Sequence, residues 1–258
     1  MENKSFVVER HLEIIDFLNL KGRVTVEELS SRFNVTGMTI RRDLLALEKQ
    51  GLLYRVHGGA LKREEKSIWQ MSTLADRLCQ HEEEKERIAL YVVQLIHDGE
   101  SIMIDGGSTT TKVAQHLQGK KNLLIVTNAL TIGEILVQTN NKVILTGGEL
   151  LKETNALIGN TAETALANYR TDKAIIGVSG LLPDEGLFSA IPQEAEVKKY
   201  MQRNSRQTIV AADSSKIGTR AFFLFSDFND VDILVTDKKI KKDDLSILEK
   251  DGIEVITV

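Results

Sequence analysis

The chain has 258 residues, 42% hydrophobic and 27% charged, with a formal net charge of −4. This is the make-up of an ordinary soluble globular protein of one or two domains. No apolar run reaches membrane-span length, charged residues interrupt any signal-peptide pattern, and the single cysteine, Cys79, excludes an internal disulfide and fits a reducing cytoplasm.

The histidines His11, His57, His81, His97 and His116 show no pair at metal-ligand spacing, so neither a metal site nor a cofactor is expected. Charge is uneven. Residues 1–63 hold eleven Lys/Arg against eight Asp/Glu, which leaves the remainder with a balance of −7. A mildly basic N-terminal segment on an acidic body suits a small nucleic-acid-binding domain joined to a larger, non-binding one.

In residues 6–20, Val7, Leu12, Ile14, Ile15 and Leu18 recur at helical spacing as one apolar face, and Lys21-Gly22 ends the helix. Val24-Thr25-Val26 is short and β-branched and suits a small strand. Glu27–Phe33 reads as a second helix with Thr25 as N-cap and Leu29 and Phe33 inward. After the turn Asn34-Val35-Thr36, a third helix spans Gly37–Lys49 with Ile40, Leu44 and Leu47 inward and Gly51 beyond its end. Leu52–Leu61, interrupted by Gly58-Gly59, reads as a β-hairpin.

Helices joined by a tight turn, then a hairpin, describe a winged helix-turn-helix. Thr36 opens the third helix, and Met38, Thr39, Arg41 and Arg42 lie toward its outer face. Arginine can grip phosphate or bind guanine through two hydrogen bonds. Arg55 and His57 add polar groups on the hairpin. A solvated helix with exposed arginines gives the same pattern. The signature Arg10-x3-Ile14-x3-Leu18, then seventeen residues, then Thr36-x2-Thr39-Ile40-Arg41-Arg42-Asp43-Leu44, resembles the helix-turn-helix of the DeoR family of bacterial regulators. The hairpin Tyr54-Arg55-Val56-His57-Gly58-Gly59-Ala60 is similar to that family's wing. The resemblance implies that the third helix enters the major groove with Thr39, Arg41 and Arg42.

Residues 62–82 are polar and read as a linker, with Trp69 docking on the body. That divides the chain into residues 1–61, the linker 62–82 and the body 83–258. Glu82-Glu83-Glu84-Lys85 reads as the solvated start of a helix running to Ile96, its acidic residues at the positive end of the dipole. Cys79 has no basic neighbour at a useful spacing and reads as a plain thiol.

From Asp98 onward strands alternate with helices. The strands are Ser101–Ile104, Leu123–Thr127, Val143–Thr146, Ala174–Val178, Thr208–Ala212, Ile233–Thr236 and Glu254–Thr257; helices fall near 109–118, 131–138, 161–168, 193–204 and 243–251. This is an α/β pattern with a mainly parallel sheet. Ligands of such sheets bind beyond the carboxyl ends of the strands. The first strand ends in Asp105-Gly106-Gly107-Ser108-Thr109-Thr110, a glycine pair followed by a hydroxyl-rich helix start. Free N–H groups and the helix dipole make that an anion site, although an ordinary N-cap looks alike. It matches neither a Walker A loop nor Gly-x-Gly-x-x-Gly.

The other strand ends carry Thr127 and Asn128, Gly147-Gly148-Glu149 with Lys152 close by, Ser179-Gly180, and Asp213-Ser214-Ser215-Lys216. Gathered on one rim, these favour a small-molecule site. Ser108, Thr109, Thr110 and Lys216 suit a phosphate; Asp105, Asn128, Glu194, Glu196 and Asp213 suit sugar hydroxyls. Glu194 and Glu196 also fit simple dipole compensation at a helix start.

The segments Asp105–Thr110, Thr127-Asn128, Gly147-Gly148, Glu194-Ala195-Glu196-Val197-Lys198 and Asp213–Lys216 are similar to the DeoR-family effector domain, whose fold resembles ribose-5-phosphate isomerase. The resemblance implies a phosphate held by the Gly107–Thr110 helix start and Lys216. An isomerase would need a base and an acid, and the isomerases carry Asp-Gly-Ala-Asp after the fourth strand. This chain has Gly177-Val178-Ser179-Gly180-Leu181 there, with no carboxylate until Asp184. The expectation is therefore a cytoplasmic, non-enzymatic repressor of a carbohydrate operon, with a sugar-phosphate isomerase-like enzyme fused to a DNA-binding domain as the alternative. Its expected partners are double-stranded operator DNA, a phosphorylated sugar and further copies of itself, as a homodimer or homotetramer.

Overall fold

The computed structural model describes residues 2–49, 52–56, 58–62, 73–250 and 252–258. The expectations for Gly51, His57 and Trp69 lie outside the described residues. Contacts divide the chain into two compact units, Met1–Gln70 and Met71–Val258.

The first unit contains α1 (Glu2–Lys21), β1 (Arg23–Thr25), α2 (Val26–Phe33), α3 (Gly37–Lys49), β2 (Leu53–Val56) and β3 (Gly59–Lys62). Its three strands form an antiparallel sheet in the order β1-β3-β2. Thr25 caps α2 reciprocally: its hydroxyl accepts from Glu28 N at 3.1 Å, and Thr25 N donates to the Glu28 carboxylate at 2.9 Å. Asn34, in the left-handed region at φ 49°, closes α2. Gly59 is required where β3 crosses β1, since a Cβ there would lie 2.0 Å from the Val24 carbonyl oxygen. Ile14, Leu18, Leu29, Ile40, Leu44, Leu47 and Leu53 form the core. Leu12, expected inward, is 62% exposed. It stands two residues from Ile14, about 200° around the helix, and α1 buries only a narrow stripe. Phe33 is half-buried against the same core.

The second unit opens with α4 (Leu74–Cys79) and α5 (Glu82–Gln94), followed by β4 (Ser101–Ile104), α6 (Ser108–His116), β5 (Leu124–Thr127), α7 (Leu130–Leu136) and β6 (Lys142–Leu145). A hairpin, β7 (Glu149–Leu151) and β8 (Ala156–Ile158), precedes α8 (Asn160–Ala167) and β9 (Thr171–Ile176). Next come β10 (Gly180–Leu182), β11 (Gly186–Ser189), α9 (Pro192–Arg203), β12 (Ser205–Ala211), β13 (Phe223–Ser226), β14 (Ile233–Thr236), α10 (Lys242–Lys250) and β15 (Glu254–Thr257).

The seven expected strands form one sheet, ordered β15-β14-β12-β9-β4-β5-β6, and every pairing in it is parallel. Side chains alternate between its faces. Met103, Val126, Ala174, Ile176, Val210 and Leu234 pack toward α8, α9 and α10. Ile102, Ile104, Ile125, Ile175, Ile209 and Val235 pack toward α5, α6 and α7. Burial on both faces explains why these strands read as unbroken apolar runs. The short strands of the two small sheets, β7-β8 and β10-β11-β13, lack that signal and were not expected.

Two expectations fail near the start of this unit. Residues 74–79, assigned to a linker, form α4, with a Thr73–Asp76 capping box and Leu74 buried. The charge run is not wholly solvated, because Glu84 and Lys85 are buried. Lys85 Nζ donates to the carbonyls of Arg77 and Gln80, which ties α5 to α4.

Candidate functional site

The third helix presents the expected face. Ile40, Leu44 and Leu47 are buried, and Thr36, Met38, Arg41 and Arg42 are exposed, with Thr39 half-exposed. The Thr36 hydroxyl accepts from Thr39 N at 3.3 Å and lies 3.0 Å from the Thr39 hydroxyl, so both take part in starting the helix. Arg55 is exposed but held to α3: its N–H and guanidinium lie 3.3 and 3.5 Å from the Glu48 carboxylate. Sequence reasoning missed Asp43. Buried on α3, it accepts from Arg10 Nε at 2.7 Å and Nη2 at 3.2 Å, with His11 Nε2 at 3.1 Å, and so bolts α3 to α1.

In the second unit the strand order reverses between β4 and β9. β5 and β6 lie to one side of β4; β9, β12, β14 and β15 lie to the other. In open parallel sheets, ligands bind beyond the carboxyl ends of the strands at such a switch point. Asp105, at the end of β4, is buried there; its Oδ1 accepts from Gly177 N at 3.1 Å and its Oδ2 pairs with Lys198 of α9. Gly107 N-caps α6 in extended backbone, and Ser108, Thr109 and Thr110 are all buried at the first turn. The Thr110 hydroxyl donates inward to the Gly107 carbonyl at 3.1 Å, leaving Ser108 and Thr109 as the hydroxyls without an internal bond among the described residues.

The remaining candidates separate. Asn128 is buried, with Nδ2 donating to the Leu157 carbonyl at 3.0 Å and Oδ1 without a hydrogen-bond partner among the described residues. Asp213 is buried; Oδ1 accepts from Ser215 N at 3.1 Å, and Oδ2 has no such partner among the described residues. Glu194 is buried in the first turn of α9, and its Oε1 and the Thr154 hydroxyl are likewise without a hydrogen-bond partner among the described residues. Lys216 is half-buried on the turn after Asp213, its N–H donating to the Asp213 carbonyl at 2.9 Å. Thr127 is consumed by the fold: its hydroxyl donates to the Ile104 carbonyl at 2.7 Å and accepts from Ala129 N at 3.1 Å. Gly148 is a packing position, where a Cβ would meet the Ile158 carbonyl oxygen at 2.5 Å. Lys152 is exposed on the turn after β7. Glu196 pairs with Lys199 at 2.7 Å; two residues from Glu194, it faces another side of the helix.

Three cations in this region were not foreseen. Lys198 lies four residues after Glu194 on the same face of α9, a spacing visible in the sequence. Burial lowers the pKa of its ammonium to about 7, and the Arg77 charge acts in the same sense. Burial also pushes Lys85 down to about 8, opposed by Asp213 and reinforced by Lys216 and Arg77. Arg77 of α4 is lowered by burial and raised by Glu194. Glu194 is itself raised by burial, against the pull of the Thr154 hydroxyl and Arg77. Asp237, fully buried after β14, steadies the Asp213 turn by accepting from Ser214 N at 2.7 Å and from its hydroxyl at 3.0 Å.

Comparison with known proteins agrees with this division. Residues 10–66 match the model of the DeoR-like helix-turn-helix domain, and residues 80–238 match that of the DeoR C-terminal sensor domain. The chain belongs to the DeoR family. It is 32% identical over 250 residues to the HTH-type transcriptional repressor GlcR of Bacillus subtilis, covering 96% of this chain and 95% of that one. It is 36% identical over 232 residues to the glycerol-3-phosphate regulon repressor of Escherichia coli, covering 89% and 90%. A putative aga operon transcriptional repressor of Escherichia coli O157:H7 is 31% identical over 97% of this chain and 93% of its own length. Ribose 5-phosphate isomerase A of Methanocaldococcus jannaschii superimposes with a TM-score of 0.41 and 17% identity over 54% of this chain and 55% of that one, too distant to bear on function. As a DeoR-family member, the chain is a DNA-binding transcriptional regulator and not an isomerase. No helix among the described residues is long and apolar enough to cross a membrane.

Proposed function

We propose that this regulator is a cytoplasmic repressor of a carbohydrate operon and that a phosphorylated sugar controls its affinity for double-stranded operator DNA. The observation that carries the effector class is the set of buried, unpartnered polar atoms near the switch point. Asn128 Oδ1, Glu194 Oε1 and Asp213 Oδ2 are acceptors waiting for hydroxyl donors. The N–H groups of the α6 start, the Ser108 and Thr109 hydroxyls and Lys216 form the anion-binding part. A ligand carrying both hydroxyls and a phosphate satisfies both sets, where an unphosphorylated sugar satisfies one. The protein acts as a homodimer or homotetramer, since one wing domain covers too little DNA for tight, specific binding.

The ligand acts by binding one conformation of the protein more tightly than the other. Thermal melts of the full chain with paired phosphorylated and unphosphorylated sugars test this. Stabilisation by a phosphorylated member alone, without its chemical conversion, is the expected result. Equal stabilisation by the unphosphorylated partner ends the phosphate assignment. A hydrogen bond to a charged group contributes roughly 1.5–3 kcal/mol, so Lys216→Ala weakens effector binding about 10- to 100-fold and leaves effector-free DNA binding unchanged.

A further inference from the structure

Arg77 is half-buried, and its Nε and Nη2 are buried with no hydrogen-bond partner among the described residues. Burying guanidinium donors without acceptors is costly, and Arg normally fills that need with a carboxylate or phosphate. Glu194, across from it, has the matching defect: Oε1 is also buried and unpartnered. The two side chains are near enough for each to shift the other's ionisation, yet no hydrogen bond joins them.

The backbone that carries Arg77 is firmly placed. Leu74 N donates to the Glu153 carbonyl at 3.0 Å, Leu74 is buried, and Lys85 Nζ holds the Arg77 carbonyl. A helix of six residues has little stability of its own and is sensitive to anything that grips it.

We infer that Arg77 is a ligand of the effector's anionic group, and that its engagement makes α4, the first described helix after the DNA-binding unit in the chain, part of the effector site. This rests on the phosphorylated-sugar reading above. The guanidinium fork supplies two donors to phosphate oxygens, while Glu194 accepts from a hydroxyl of the same molecule. Binding then adds a side-chain grip to the backbone contacts that already place α4.

The test uses the full chain with inorganic phosphate and glycerol 3-phosphate as probes, and the variants Arg77→Gln and Arg77→Lys. A residue with a purely structural role stabilises the protein without ligand. A ligand-binding arginine with no internal partner does not. We expect Arg77→Gln to melt at or above the wild-type temperature without phosphate and to bind either probe at least 10-fold more weakly. Arg77→Lys, which keeps the charge but lacks the fork, should also bind several-fold more weakly, whatever happens to the glutamine variant's fold. Hydrogen exchange at residues 74–79 should slow with glycerol 3-phosphate in the wild type and not in Arg77→Gln. If the wild type binds the probes and both variants bind them equally well, Arg77 is not a ligand, while the phosphate site itself stands. If the wild type binds neither probe, the phosphorylated-sugar reading falls and takes this inference with it.

Discussion

Lys198, in the second turn of α9, forms a buried ion pair with Asp105 at the end of β4. The pair joins a helix packed on one face of the sheet to the strand at the switch point, just before the start of α6. Removing one partner of a buried pair leaves an uncompensated charge, at a cost of about 3–5 kcal/mol. Asp105→Asn should therefore lower the urea-unfolding free energy by roughly that amount. The double variant Asp105→Asn/Lys198→Met should recover much of the loss. Strictly additive losses in the double variant would show that the two residues do not depend on each other.

Arg41 and Arg42 are exposed on α3, outside the core formed by Ile40, Leu44 and Leu47. Arg41→Ala or Arg42→Ala should weaken binding to a selected operator duplex by about 1–3 kcal/mol if the contact reads a base. The thermal midpoint should stay within experimental error of wild type. Unchanged binding by both variants would remove α3 from the role of reader.

Asp43 ties α3 to α1 through Arg10 and His11. Charge-assisted hydrogen bonds of this kind contribute about 1.5–3 kcal/mol. Asp43→Asn should lose stability on that order and also weaken DNA binding, although Asp43 itself is buried. A variant with lower stability and undiminished affinity at low temperature would show that the bolt does not position the reading face.

The buried Lys85 sets a pH dependence. It is lowered to about 8 from 10.5. Between those values the unfolded chain binds more protons than the folded one, so stability rises with pH through that window. Lys85→Met should flatten the rise between about pH 8 and 10.5 in urea titrations. A bound anion favours the charged lysine, so effector affinity should fall over the same range, with proton uptake on binding measurable by calorimetry in buffers of different ionisation enthalpy. Proton release in place of uptake would contradict the placement of this lysine near the anion.

The architecture was legible where local pattern and burial agree. The central strands, buried on both faces, carry apolar runs such as Ile102–Ile104 and Ala174–Ile176, and α3 repeats Ile40, Leu44 and Leu47 at helical spacing. Asp105, Asn128 and Asp213 stood out because parallel strands all deliver their carboxyl ends to one rim, whatever the order of the strands. Side-chain direction and partnership were not legible. Glu194 and Glu196 look equivalent in sequence, but about 200° of helix rotation buries one and turns the other toward Lys199. The Thr127 hydroxyl already donates to and accepts from neighbouring backbone. Lys85 and Arg77 sit in stretches whose composition reads as solvated, since charge predicts exposure unless something distant covers it. By itself the sequence determined the periodicities, the turn chemistry and which residue types end each strand. Tertiary packing alone decided that α4 folds back beside α5, that Lys198 meets Asp105, and which polar atoms are left buried and unpartnered, because those outcomes depend on groups far apart in the chain.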